Sequence, residues 1–391
     1  MLIVEPFKKY FSGPGSGGRA ALLVLALLGL AARAGYIYWT RDAAPHPDLG
    51  SFLPSSLPFT HPFDTSPREP LFVWWLWLAG KLGAGSAAGI RLAGSLWFLP
   101  SFFLFFALAS RFLGTGRAWA AAVLYAFLPA QVQSDSLGLR NLQETFALLL
   151  LLNALHAPGG PKAWRMSAAA LALLALTRVN YVLSGFLLLA AAAWRARNLR
   201  PLLALLPALL LLAPHLQNNR ARHGDPLYSV SLHTRYISNM ENLGRPGFPA
   251  TVEEWQKDPY AQRLTARQWL FENHTPYELA RDSAKGLLSG LWDFYWKVYF
   301  SLGLPGRAAV GLLGLYLLGA ALALLTPALR LLPLWLLLLT LPYAFTSHVF
   351  WAGRFFTPFA PLALLLAVLG GARAWDTLRG LLPRPRPAPK L

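Results

Sequence analysis

The chain has 391 residues, 55% of them hydrophobic and only 13% charged, with a mean hydropathy of +0.42. A soluble domain carries roughly 25% charged residues, and a soluble fold of this composition would have to bury nearly every helix on all sides, so that class is excluded. The net charge of +18 would suggest nucleic acid in a soluble protein, but here Lys and Arg lie mostly in short loops and tails between apolar runs, the pattern that orients helices in a bilayer.

Crossing hydrocarbon takes about 20 mostly apolar residues. Apolar runs predict helices near 20–39, 90–112, 117–133, 141–156, 167–177, 179–194, 200–216, 307–326, 329–346 and 355–371. The predicted class is an all-α polytopic membrane protein with about ten transmembrane helices, interfacial helices and a mainly helical outer region. The first run, "ALLVLALLGLAARAG", has basic residues before it and an "ARA" at its end, as a signal peptide has. It continues into the aromatic "YIYW", which reads as an interfacial belt and favours an uncleaved helix. Residues 71–82, "LFVWWLWLAGKL", are too short to cross and rich in Trp, and predict a helix lying in the interface.

The stretch 167–194 is long for one helix and short for two. Arg178 falls near its middle, where a guanidinium is costly, so the chain is expected to break there. Charge agrees. With the amino terminus inside and two helices in this stretch, Arg111, Arg117, Lys162, Arg165, Arg195, Arg197, Arg200, Arg330 and the basic tail all fall on the inner side. The outer side then receives about 40–89, 134–140 and 217–306. Of the 17 acidic residues only Glu5 and Asp376 remain inside. The resulting divisions are 1–216, a transmembrane module with its first outer loop at 40–89; 217–306, an outer region; 307–372, the last transmembrane helices; and 373–391, a basic, Pro-rich tail. The outer region is too long for a bare loop. It reads as short surface helices, one opening at Thr275 before Pro276 and Glu278.

The chain has no Cys, which removes thiol chemistry and disulfides. No Walker loop, HExxH or Cys/His metal pattern occurs, so no cofactor is expected and a divalent metal has no support. His46, His61, His215 and His233 fall near the expected outer surface and read as structural. The Asn273-His274-Thr275 sequon reads as chance. The Ala, Leu and Arg bias is that of a GC-rich bacterial genome, which would place the chain in an inner membrane.

Four segments carry the strongest constellation. A membrane helix leads into an outer loop with Asp48. "TSPREPLFVWWLWLAGKLG" follows, then "FLPAQVQSDSLGLRNLQETFALLLLL" with Asp135 and Glu144, and late in the chain "HVFWAGRFFTPFAPLALLL". This order resembles the GT-C superfamily of membrane glycosyltransferases, in the branch of the lipid A aminoarabinose transferases and protein O-mannosyltransferases. Arg68-Glu69-Pro70-Leu71-Phe72 is similar to that family's Arg-Pro-Pro-Leu-Tyr, Gln143-Glu144-Thr145 to its Ser/Thr-Glu, "LTRVN" to its Thr-Arg-Pro and "GRFFTPFAP" to its Arg-Tyr…Pro…Pro. "PHLQNNRARHGDPLY" resembles its Arg-Asn…Gly-Asp-Pro. The chain departs from the pattern at Asp48-Leu49, where Asp-Glu is common, and at Arg354-Phe355, where the family has Arg-Tyr.

The resemblance implies an inverting transfer of a sugar from a polyprenyl-phosphate donor to a lipid, glycan or protein at the outer face of the membrane. Asp48 would be the catalytic base. Asp64, Arg68, Glu69, Asp135, Glu144, Arg178 and Arg354 would bind substrate. The chemistry fits these residue types: a carboxylate takes the proton of the attacking hydroxyl or amine, and Arg neutralises the departing phosphate. Structural readings stand beside these. Asp48 is equally a solvated loop acid, Asp64 a turn former, Glu69 and Glu144 ion-pair partners of Arg68 or Arg140, and Arg354 a residue reaching for the interface. A transporter or flippase of a lipid-linked precursor, or a non-catalytic membrane subunit, would share the composition. Against transport, few acids fall mid-helix, where a pathway would need them.

Overall fold

A computed structural model describes residues 16–43, 63, 65, 68–157, 161–261, 264–349 and 355–381. These form helices joined by short turns, with no strand among the described residues. Helix α1 is Ser16–Trp39. The Trp-rich stretch forms α2, Pro70–Lys81, with Pro70 in its first turn, where a missing N–H costs nothing. Then come α3, Ala87–Ser95, capped by the Ser86 side chain, and α4, Phe98–Leu113. The run expected at 117–133 is interrupted at Leu128, giving α5, Thr115–Phe127, and α6, Pro129–Asp135. Leu128 precedes a proline and is held extended, as residues before proline are. Helix α7 is Asn141–His156, α8 is Pro161–Thr177 and α9 is Tyr181–Ala196.

The break expected at Arg178 is present: α8 ends at Thr177 and α9 begins at Tyr181. A 3₁₀ turn, Arg200–Ala204, leads into α10, Leu205–His223. The segment that follows holds α11, Tyr228–Glu241; α12, Val252–Lys257; α13, Ala266–Phe271; and α14, Pro276–Leu288. Thr275 caps α14 in a reciprocal box with Glu278, as its sequence signature predicts. Two π-helical turns, Ser289–Asp293 and Tyr295–Tyr299, carry the chain into α15, Gly306–Leu325; α16, Leu331–Val349, and α17, Ala360–Leu381, complete it.

Five helical stretches among the described residues are long and apolar enough to cross a membrane: 17–39, 87–113, 200–223, 306–325 and 357–379. Shorter apolar helices occupy 163–177, 181–196 and 331–346. The chain is a multi-pass, all-α membrane protein. Its main apolar core runs through α4, α5, α7, α16 and α17, filled by Phe98, Phe102, Phe105, Tyr125, Leu148, Leu336 and Leu365. Helices α15 and α17 meet with almost no side chain between them. A Cβ placed on Gly319 would sit 1.7 Å from the Leu366 carbonyl oxygen, and one on Gly370 2.0 Å from that of Leu315. Small residues at such crossings let backbones touch where lipid offers no hydrophobic drive to associate.

A charge buried in α1 is fully provided for. Arg33 donates through Nε and Nη2 to Asp135 at 2.9 and 2.6 Å, and through Nη1 to the Gly29 and Ala126 carbonyls at 2.8 and 2.9 Å. Its guanidinium lies 3.6 Å from the Phe98 ring centre. The other Asp135 oxygen accepts from Gln131 at 2.7 Å, and Gln131 in turn accepts from the Tyr299 hydroxyl. One network thus joins α1, α4, α5, α6 and the second π turn. Nearby, Arg91 of α3 donates to the Ser136 carbonyl at 2.7 Å and to the Thr40 hydroxyl at 2.6 Å. The end of α1 is thereby fixed beside the turn that leads into α7.

Candidate active site

The break between α8 and α9 exposes backbone groups that a continuous helix would have satisfied internally. Two acidic side chains and two guanidinium groups gather around it. Arg140, just before α7, donates through Nη1 to the freed carbonyl of Thr177 at 2.9 Å and to Glu69 Oε2 at 2.5 Å. The freed N–H of Val179 donates to Glu69 Oε1 at 3.3 Å. Arg140 Nε also lies 3.1 Å from Glu144 Oε1, one helical turn on. Arg178 donates to that same oxygen through Nε and Nη2, at 3.1 and 2.9 Å. The Tyr181 hydroxyl donates to Glu144 Oε2 at 2.8 Å. All four charged side chains are buried. The break is therefore stitched shut by the cluster, and the cluster is shaped by the break.

Further groups border it. Phe355 lies against Arg178, its ring centre 4.6 Å from the guanidinium carbon, and His233 of α11 meets the other side of the neighbourhood with its ring 5.1 Å from that of Phe355. Arg68, adjacent to Glu69 in sequence, adds a third guanidinium. Burial and the nearby Arg140 charge lower it to about 10, so it stays protonated at neutral pH. Burial alone would raise the Glu69 carboxyl, but Arg140 and Arg178 outweigh it and hold the group at about 2. Burial, reinforced by Arg178 and Arg140, pulls the His233 imidazole down to about 4 and leaves it neutral at pH 7. Two carboxylates thus face three guanidinium groups, with a neutral imidazole alongside. Among the described residues this part of the protein carries excess positive charge and suits an anion.

Of the residues singled out by sequence, the structure brings together Arg68, Glu69, Glu144 and Arg178. Asp135 takes its hydrogen bonds from Arg33 and Gln131, outside this cluster. Asp48, Asp64 and Arg354 lie outside the described residues. Arg140, Tyr181 and His233 are additions that the sequence reading left out of the site. The i, i+4 spacing of Arg140 and Glu144 was the available signal for the first. Nothing local marks the other two, since α9 and α11 reach the cluster only through tertiary packing. Among the described residues no group of His, Asp and Glu could hold a metal ion.

Residues 61–217 match the family model of the dolichyl-phosphate-mannose-protein mannosyltransferases. Those mannosyltransferases are glycosyltransferases of the GT-C type. Glu69, Arg140, Glu144 and Arg178 all fall inside the matched segment, and so do α2 to α9. The crystal structure of ArnT from Cupriavidus metallidurans in the apo state overlaps 94% of this chain and 81% of its own, at 11% sequence identity and a TM-score of 0.42. So distant a likeness assigns no role to any residue here. No curated protein matches the chain.

Proposed function

We propose that the chain is a glycosyltransferase of the GT-C type, moving a sugar from a polyprenyl-phosphate donor to a lipid, glycan or protein acceptor at the outer face of a bacterial inner membrane. The observation that carries this reading is the excess of guanidinium over carboxylate in the cluster at the α8–α9 break. In such a transfer the acceptor hydroxyl or amine attacks the anomeric carbon, the bond from that carbon to the phosphate oxygen breaks, and the electron pair leaves with the phosphate. The leaving group gains a unit of negative charge, and Arg positioned beforehand in a water-poor site stabilises that gain. Single displacement of this kind inverts the anomeric centre.

Asp48 takes the acceptor's proton in this account, and Arg354 joins Arg68 and Arg178 at the phosphate. Their described neighbours support the assignment. Asp48 follows α1 in sequence, and Thr40, just past the end of that helix, is tied by Arg91 to the turn before α7. Phe355 follows Arg354 directly and lies against Arg178. Phe63 precedes Asp64, and its carbonyl accepts from Asn218 of α10 at 2.9 Å. Glu69 and Glu144 hold the guanidinium groups in place and keep the site from becoming so positive that it never releases its product.

The test is mass spectrometry of envelope glycans and lipids from cells with and without the protein. The reading expects one sugar modification to vanish on deletion, to return with the wild-type gene and to stay absent with Asp48→Asn. An unchanged set of modifications, alongside unextended lipid-linked precursor held at the inner face, would instead identify a transporter.

A further inference from the structure

A second site lies at the far end of the bundle. Helices α7, α8 and α9 each touch the guanidinium cluster at one end and a cavity of about 860 Å³ at the other. At 1.5 Å per residue, the 16 residues of α7 separate the two by roughly 24 Å. Leu155, Leu189 and Leu203 wall the cavity, and Arg195 and Arg200 stand at its edge. No acidic residue among the described residues lines it. Trp164 lines it too, and its buried indole N–H finds no acceptor among the described residues. The flanking side chains of Trp194 and Leu199 are 88% and 74% exposed. Exposed apolar residues beside a cavity at the end of apolar helices make a rim that faces lipid.

Two cations, one donor in want of an acceptor, and an apolar wall opening on a lipid-facing rim describe an amphiphile with a negative head. A free inorganic anion would leave the leucine wall unused. A zwitterionic head would bring an ammonium group with no carboxylate among the described residues to meet it. We propose that this cavity binds an anionic phospholipid of the adjoining leaflet. Its phosphate sits between Arg195 and Arg200, within reach of Trp164, and an acyl chain lies along Leu155, Leu189 and Leu203. Basic pockets between membrane helices recognise such headgroups, and the volume is ample for one headgroup and part of a chain. The inference is independent of the transferase reading, because it uses no residue of the candidate active site.

Native mass spectrometry of the detergent-purified full chain tests it, with dioleoylphosphatidylglycerol, dioleoylphosphatidylcholine and inorganic phosphate as probes. Phosphatidylglycerol should be retained over phosphatidylcholine. Arg195→Gln/Arg200→Gln should lower that retention by roughly tenfold or more, the loss expected for charge-assisted hydrogen bonds. Ala192→Trp, which fills the cavity and keeps both arginines, should lower it as well. Arg220→Gln/Arg222→Gln, with the same charge change at the other end of α10, should leave it unchanged. Equal retention of the two lipids, undiminished retention in the Arg195/Arg200 variant, an equal loss in the Arg220/Arg222 variant, or displacement of the lipid by millimolar phosphate would each overturn the proposal.

Discussion

Arg33 sits in an apolar helix, where an unpaired guanidinium costs about 3 kcal/mol at the helix centre. Its five N–H groups are met by Asp135 and backbone carbonyls, so the pair is worth more intact than either member is alone. Arg33→Met should destabilise the protein by roughly 3–5 kcal/mol, because it strands the buried Asp135 carboxylate. Adding Asp135→Leu should recover most of that loss. Thermal unfolding in detergent measures both, and a transferase assay of the double variant adds a second reading. Restored stability without activity would return Asp135 to the substrate site that the sequence suggested for it. At His233 the argument turns on protonation. Its folded pKa of about 4 lies below the ordinary 6.5, so the folded state resists the proton that the unfolded chain accepts. Stability attributable to this residue is therefore intact above pH 6.5 and lost as pH falls toward 4. Glu69, held at about 2 against an ordinary 4.5, adds a second loss between those two values. His233→Gln should flatten the unfolding midpoint between pH 6.5 and 4.5 and leave the lower fall in place. An unaltered upper slope would mean that another group titrates there.

Among the elements, the α8–α9 break was legible because cost and composition agreed: a guanidinium midway along an apolar run forces the chain to turn or to find a partner. The partner itself was harder to see. Arg140 and Glu144 are one helical turn apart, and that spacing alone makes them neighbours. Glu69 and Arg140 are 71 residues apart, and their contact depends on α2 packing beside the break. The apolar runs were legible from length and hydropathy. The interruption at Leu128 was written in Pro129, but the surrounding run is apolar enough to hide it. The α15–α17 contact was not legible, since glycine in a membrane helix does not announce which neighbour it meets. It makes a sharp prediction. Gly370→Val would drive a side chain into the Leu315 carbonyl and should cost about 1–3 kcal/mol or more. Gly311→Val on α15, where the position has open space around it, should cost far less. Unfolding midpoints of the two variants check this, and equal losses would show that α15 and α17 do not depend on backbone contact.

Across the whole molecule, the described helices divide the protein into two chemically different ends. One gathers guanidinium and carboxylate groups around a broken helix and lies within the segment that matches the mannosyltransferase family model. The other is basic and apolar-walled, with no acidic residue in its lining among the described residues. Of the candidates outside the described residues, Arg354 precedes Phe355, which lies against Arg178, and Asp64 follows Phe63, whose carbonyl accepts from Asn218. The central claim is that the first end carries out sugar transfer from a lipid phosphate, with Asp48 as base. The most direct measurement is release of polyprenyl phosphate from a polyprenyl-phosphate sugar by the purified protein with acceptor present, compared between wild type and Asp48→Asn. Asparagine keeps the size and hydrogen bonding of the residue but cannot take a proton. The account predicts acceptor-dependent release by the wild type, and about a 10²- to 10⁴-fold lower turnover in the variant with folding intact. Release at near wild-type rate by Asp48→Asn would contradict it.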